Sequence, residues 1–177
     1  SLSKSKARTP DDILQLQYKL GQKGSRDVSK QNLQMAKSFV AGLHNAAIHD
    51  DLYYTAPRGD DIIMQSKSNN RAVAIASIGM LYLWDFEEGP NKIDKWTEEK
   101  NDPYIIMGAL TAMGIINAAV RSEFDPTKQL FEKYIGSEDD RIQTGALFCA
   151  AIAYAGSGKK DITKLIKPII KNASVTA

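Results

Sequence analysis

The chain has 177 residues, which is enough for one domain, or two small ones, with a buried core. Its 23 basic and 21 acidic residues leave a net charge of only +2, so overall electrostatics give no reason to expect a nucleic-acid or membrane-surface protein. The single cysteine, Cys149, cannot form an internal disulfide and lies in an apolar run, which favours a reducing compartment.

Residues 1–30 form a basic leading segment in which seven basic residues face three acidic ones. The motif Thr9-Pro10-Asp11-Asp12 is typical of a capped helix start and predicts a short helix that runs toward Leu20. An arm that binds nucleic acid is an alternative, but the segment lacks interleaved aromatic residues. We therefore expect a solvated end rather than a nucleic-acid interface.

Residues 31–177 contain a repeated pattern of small and large apolar residues. The positions Gly42, Gly79, Gly114 and Ala151 occupy the same column of the pattern and lie 37, 35 and 37 residues apart. The four copies run over residues 36–47, 73–84, 108–119 and 145–156. A period of this size indicates a solenoid of helix pairs. The sequence therefore predicts an all-α fold, an α-α superhelix of about four repeats of 35–37 residues.

The repeated segments are rich in glycine and alanine, which favours closely packed inner helices. Small residues recur four apart, as at Gly108 and Ala112, and share one helix face where they let a neighbouring backbone approach. A membrane helix is excluded for residues 108–120, because 13 residues are fewer than the roughly 20 that a span needs. The later Gly156 and Gly158 lack the spacing of a phosphate-binding loop and predict a helix end.

A polar turn and a more amphipathic outer segment follow each inner segment. Asp102-Pro103 and Asp125-Pro126 predict helix starts, with aspartate as N-cap and proline in the first turn. A further helix is expected near residues 60–66. The last outer segment carries an apolar stripe at helical spacing, and Pro168 is expected to bend or restart that helix. Trp84 and Trp96 are expected to pack in the core or between repeats.

Several segments together resemble the proteasome/cyclosome repeat. The segments IGMLYLWD with KIDKW, GALTAMGIINAAVRSEFDP and AYAGSGKKDITKLIKPII are similar, in this order, to successive repeats of the large non-ATPase scaffold subunits in the base of the 26S proteasome regulatory particle. The upstream TPDDI and NLQMAKSFVAGLHNAA resemble the segment that leads into the toroid of such a subunit. Because about four repeats are present, we expect a fragment of a larger toroid.

The resemblance implies a non-catalytic ubiquitin-receptor scaffold of the cytoplasm and nucleus. Such a subunit sits on the ATPase ring and captures ubiquitin chains, the ubiquitin-like domains of shuttle factors and a deubiquitinase, without nucleic acid, membrane or cofactor. The residue pattern is also consistent with a protein that is not an enzyme. His44 and His49 lie five apart with no ligand cluster beside them, and no side chain has the context of an activated nucleophile. We expect His44 on a packed inner helix and His49 at its polar end.

The outer turns are acidic and supply the candidate binding residues. Residues 85–102 hold seven acidic residues and three lysines, and residues 121–141 hold six acidic and four basic residues. Equivalent turns stack in a solenoid, so we predict an acidic ridge that meets ubiquitin-like domains, which offer an apolar patch with a basic rim. The candidate residues of this ridge are Asp85, Glu88, Asp94, Glu123, Asp125 and Glu132. The alternative is that these acidic residues are solvated helix caps. The segment would then be purely structural and would pack on neighbouring repeats and ATPase subunits.

Overall fold

The described part of the chain consists of helices, turns and short connections. The computed structural model describes the backbone of residues 26–50, 53–99, 101–120 and 125–173 and the side chains of residues 31–50, 53–99, 101–120 and 125–171. These ranges contain no strand, which confirms the all-α prediction. The helices are α1 Arg26–His44, α2 Gly59–Gln65, α3 Asn69–Leu81, α4 Glu88–Thr97, α5 Pro103–Ile116, α6 Pro126–Tyr134, α7 Asp140–Ala153 and α8 Lys160–Ala173. The helix predicted between Thr9 and Leu20 lies outside the described residues.

The helices are arranged as a stack of inner helices with shorter outer helices beside it. Helices α1, α3, α5 and α7 pack on one another in this order and form the most extensive contacts in the fold. The outer helices α4 and α6 each contact the inner helix before them and the inner helix after them. This arrangement is the α-solenoid of helix pairs that the repeat period predicts.

The inner helices approach so closely that glycine is required where they cross. A Cβ atom added at Gly79 would lie 2.7 Å from the Cα of Ala112, and one added at Gly114 would lie 2.7 Å from the Cα of Cys149. Both contacts are with backbone, which cannot rotate away as a side chain can. Gly108 and Gly145 make equally close approaches to Ala72 and Met107. The predicted role of the small residues is therefore confirmed.

Each inner helix is followed by a residue in the left-handed backbone region. The residues at this repeat position are Ala47, Trp84, Ala119 and Gly156, with φ of 58°, 68°, 62° and 67°. The backbone N–H groups of the first three donate hydrogen bonds of 3.0, 3.1 and 3.3 Å to carbonyls at the end of the next inner helix, those of Met80, Ile116 and Ala153. Neighbouring turns are thus joined through the main chain. Gly156 and Gly158, both with φ of 67°, follow the end of α7 as the sequence predicts.

The outer helices are attached to the stack by buried apolar side chains. Ile63, Ile93 and Phe131 are fully buried, and Ile162 of α8 is 4% exposed. These four residues lie on α2, α4, α6 and α8, one on each outer helix. Burying a large apolar side chain contributes roughly 1.5–3 kcal/mol. No helix among the described residues combines the length and the apolar character needed to cross a membrane.

The sequence expectations for Asp125, Trp84 and Pro168 are met only in part. Asp102 and Asp125 stand at the N-cap positions of α5 and α6 as predicted, each followed by proline in the first turn. Asp102 accepts a hydrogen bond from the Tyr104 N–H at 2.9 Å, whereas the Asp125 side chain makes no such capping bond. Trp96 is buried as predicted, whereas the Trp84 ring is 61% exposed because its left-handed backbone directs it outward. Helix α8 continues through Pro168, so the helix does not restart there, and the bend expected at Pro168 stays a prediction.

Candidate functional site

Two of the predicted ridge residues, Glu88 and Asp94, lie on α4. Both side chains are exposed, while Ile93 and Trp96 on the same helix are buried. The helix is therefore amphipathic, with its apolar side on the stack and these carboxylates on the solvent side. Glu88 also lies in the first turn, where a negative charge is favoured by the helix dipole. Of the predicted set, these two carboxylates are the ones that the structure leaves most available for a partner.

Asp85 is turned toward the protein. Its Oδ1 accepts hydrogen bonds from the N–H groups of Glu87, at 3.3 Å, and Glu88, at 2.9 Å, ahead of α4. Its Oδ2 lies 3.4 Å from Nδ1 of His49, which belongs to the preceding turn. The side chain is only 15% exposed. Asp85 therefore orders the start of α4 and contacts the neighbouring repeat, and presents little surface to a partner.

Asp125 connects two repeats through its side chain. Its carboxylate accepts a hydrogen bond from the Tyr154 hydroxyl and another, at 2.6 Å, from Nζ of Lys159. Burial by itself raises the pKa of Asp125, but the hydrogen bonds from Lys159 and Tyr154 outweigh it and lower the pKa below its ordinary value of 3.8. Burial, followed by the hydrogen bond to Asp125, raises the pKa of Tyr154. The negative charge of Asp125 is thus compensated within the protein.

Glu132 is also close to a basic residue. Nζ of Lys128, one helical turn earlier on α6, lies 4.0 Å from Glu132 and 2.8 Å from Asp161 of α8. Glu123 lies outside the described residues. The predicted ridge is therefore interrupted by Lys128 and Lys159 around α6. Its exposed carboxylates among the described residues are Glu88 and Asp94 on α4 and Glu132 on α6, which lies beside Lys128.

Other ion pairs between successive repeats were not recognised in the sequence. Nζ of Lys95 on α4 lies 2.6 Å from a carboxylate oxygen of Asp60 on α2, 35 positions earlier. Arg71 of α3 pairs with Asp102, and its guanidinium also donates to the carbonyls of Ser66 and Met64 at 2.8 and 2.7 Å. The paired charges are 31–35 residues apart, which is close to the repeat period. This spacing between opposite charges is the signal that could have revealed the ion pairs.

The turn between α3 and α4 carries exposed apolar residues that sequence reasoning also missed. Trp84 is 61% exposed and Phe86 is 58% exposed, and Ile48 in the preceding turn is 52% exposed. The Trp84 indole Nε1–H donates to the carbonyl of Ala118 at 3.1 Å, so the ring is held across the next turn. We refer to Ile48, Trp84 and Phe86 as the turn patch.

Neither histidine lies in a metal-binding cluster of the described residues, and the single cysteine is buried. His44 ends α1 with its side chain exposed rather than packed, and His49 stacks on Tyr82 with ring centroids 5.4 Å apart. No group of three histidine, cysteine or carboxylate side chains in the described ranges could hold a metal ion. Burial raises the pKa of the Cys149 thiol to about 12, so the thiolate nucleophile is disfavoured.

Replacing Asp125 by asparagine is expected to destabilise the fold in a pH-dependent way. Because its pKa is lower folded than unfolded, Asp125 contributes stability above the unfolded value of 3.8, and this contribution disappears as the pH falls through the folded value. We expect a loss of about 1–2 kcal/mol at pH 7 that shrinks below about pH 4. Urea unfolding of the unchanged chain and of the variant between pH 3 and 7 measures the difference in their free energies of unfolding. A difference that does not change with pH would contradict this role of the Asp125 charge.

Comparison with known proteins identifies several proteasome regulatory subunits as relatives. No family model matches the chain. The chain is 32% identical over 140 residues, 78% of its length, to 26S proteasome non-ATPase regulatory subunit 2 of Dictyostelium discoideum, and these residues are 15% of that relative. It is 33% identical over 128 residues, 67% of its length and 14% of the relative, to 26S proteasome non-ATPase regulatory subunit 2 homolog A of Arabidopsis thaliana.

A longer alignment exists with a fungal protein. The chain is 28% identical over 173 residues, 93% of its length, to 26S proteasome regulatory subunit rpn-1 of Neurospora crassa, of which the alignment covers 19%. The chain thus spans between a seventh and a fifth of the length of these relatives.

Proposed function

Because this chain belongs, as a segment, to the family of 26S proteasome non-ATPase regulatory subunit 2, we propose that it is part of a non-catalytic scaffold of the proteasome regulatory particle. In this proposal residues 31–177 form the helical-repeat array and residues 1–30 lead into it. The array takes part in protein degradation in the cytoplasm and nucleus by holding other regulatory-particle subunits and the ATPase subunits in place. The stacked inner helices support this role, because their close backbone contacts suit a rigid support.

The finer proposal is that the array docks ubiquitin and the ubiquitin-like domains of shuttle factors. The observation that carries it is the pair of exposed carboxylates on α4, Glu88 and Asp94, on a helix whose other side is fixed by Ile93. A carboxylate on a fixed helix can meet the basic rim of a ubiquitin-like domain without first ordering a loop. Asp125 and Glu132 contribute less, because Lys159 and Lys128 already compensate their charges.

A titration of the isotope-labelled chain with ubiquitin, followed by NMR, tests this proposal. We expect chemical-shift changes at α4 at high micromolar ubiquitin, and we expect Glu88→Lys combined with Asp94→Lys to weaken binding at least tenfold, since two attractive charges become repulsive. The matched control is Glu138→Lys, which reverses an exposed charge in the turn before α7 and should leave the affinity within twofold. Absence of any shift would overturn ubiquitin docking by this segment.

A purely structural segment is the second candidate, and a groove between α7 and α8 favours it. The groove has a volume of about 580 Å³ and is lined by apolar side chains that include Tyr154, Ile162, Ile166 and Ile170. Ile170 is 55% exposed. A further helical repeat packed there would bury this surface. If ubiquitin produces no shifts in the titration, this structural role becomes the preferred function.

A further inference from the structure

The turn patch combines exposure with a fixed position. The three side chains of Ile48, Trp84 and Phe86 are each more than half exposed, although most large apolar side chains of the array are buried or half-buried. They lie in two consecutive turns rather than on a helix face. An apolar cluster of this kind on a surface is typical of a protein-binding site.

The main-chain bond between turns does not require a tryptophan at the left-handed position. The equivalent residues in the other repeats are Ala47, Ala119 and Gly156, and a bulky residue is disfavoured at positive φ. The main-chain bond from this position to the next repeat forms equally well with alanine, as at Ala47 and Ala119. Trp84 therefore adds a large exposed ring at a position where two other repeats form the same main-chain bond with alanine.

The two turns of the patch are held next to each other. The His49 N–H donates to the carbonyl of Leu81 at 3.1 Å, and its imidazole lies 3.4 Å from Asp85. Asp85 stands between Trp84 and Phe86 in the chain, and His49 follows Ile48, so these contacts join the two turns that carry the patch. The indole of Trp84 is anchored by its own hydrogen bond to Ala118. The backbone of the two turns and the ring of Trp84 are thus held in place before a partner binds, which lowers the entropy lost on binding.

Negative charge lies at one edge of the patch. Glu87 and Glu88 follow Phe86 directly in the chain, and both are exposed. Asp85 is not part of this edge, because its carboxylate is occupied by the start of α4 and by His49. An apolar surface with an acidic edge is complementary to an apolar surface with a basic edge, which is the chemistry of a ubiquitin-like domain.

We propose that the turn patch is the apolar half of a docking surface for ubiquitin-like domains, with Glu87 and Glu88 as its acidic edge. This inference rests on the proposed ubiquitin-docking function and gives it a location at the rim of the array rather than on the outer helices alone. Trp84 and Phe86 cover the apolar patch of the bound domain. Glu87 and Glu88 pair with basic side chains at its margin and set the orientation.

The test is binding of ubiquitin to the labelled chain and to a double variant, Trp84→Ala with Phe86→Ala. The indole N–H of Trp84 gives its own NMR signal, which a Trp84→Phe sample assigns, and we expect this signal to shift during the titration. We expect the double variant to bind at least tenfold more weakly. Alanine is compatible with the left-handed backbone, as Ala47 and Ala119 show, so the variant should remain folded.

The matched control is Phe148→Ala, which removes another exposed phenylalanine, on α7, and should leave the affinity within twofold. If the double variant binds ubiquitin as the unchanged chain does, while Glu88→Lys with Asp94→Lys still weakens binding, the turn patch is not the site and the proposed function stands. If ubiquitin shifts no signal of the unchanged chain, the proposed function fails and this inference fails with it.

Discussion

Replacing Gly114 by alanine is expected to lower the free energy of unfolding by about 2–3 kcal/mol, because an added methyl group is forced into a close backbone contact. The new Cβ would lie 2.7 Å from the Cα and 2.8 Å from the carbonyl oxygen of Cys149. Neither atom belongs to a movable side chain, so α5 and α7 must separate. Helix propensity alone favours alanine over glycine by about 1 kcal/mol. A lower free energy of unfolding therefore indicates the close backbone contact, whereas a higher one would indicate that helix propensity decides the effect.

Gly136→Ala is the control for this substitution. A Cβ at Gly136 meets no heavy atom within 4 Å, so the stability should change by about 0.5 kcal/mol or less. Urea unfolding, followed by far-ultraviolet circular dichroism, measures the free energy of unfolding of both variants. The dependence of this free energy on urea concentration shows whether their unfolded states are comparable. If Gly114→Ala were as stable as the unchanged chain, the inner helices would not be in backbone contact.

Replacing Phe131 by alanine is expected to have the largest effect of any side-chain truncation that we consider, about 3–5 kcal/mol. Phe131 is fully buried and attaches α6 to the stack. Its ring meets the Tyr154 ring edge to face, with centroids 6.0 Å apart and an interplanar angle of 71°. The truncation leaves a cavity between repeats and removes this aromatic contact. Urea unfolding measures the loss.

Phe148→Ala is the matched control, since it removes the same atoms from a side chain that is 47% exposed. We expect it to change the free energy of unfolding by less than about 1 kcal/mol. Equal losses for the two variants would show that α6 is not held through Phe131. A Phe131→Leu variant should recover more than half of the loss, because leucine fills most of the cavity.

The repeat period and the small residues were sufficient to predict the architecture. Glycines such as Gly79 and Gly114 recur at a fixed step, and the need for a close backbone contact explains both their identity and their spacing. The start of α5 was also predictable, because the aspartate of Asp102-Pro103 caps the helix through a bond two residues away. These features depend on local sequence or on the repeat itself.

The electrostatic surface was harder to predict because its partners are far apart in sequence. Asp125 precedes a proline as Asp102 does, yet its carboxylate meets Lys159, 34 residues later, and not its own helix. Trp84 follows an apolar run and is exposed, whereas Trp96 stands among polar neighbours and is buried on the apolar side of α4. The immediate neighbours in sequence therefore do not indicate which of the two rings is buried. A single sequence indicates the repeat period, but it does not indicate which charged residues of neighbouring repeats pair with each other.

The main-chain hydrogen bonds between successive turns have a consequence for how such an array can diversify. They join peptide groups and form with either alanine or tryptophan at the position. The pitch of the superhelix and the chemistry of its rim are therefore set by separate groups of atoms. Substitutions at the rim can give each repeat its own specificity while the curvature of the whole assembly is preserved.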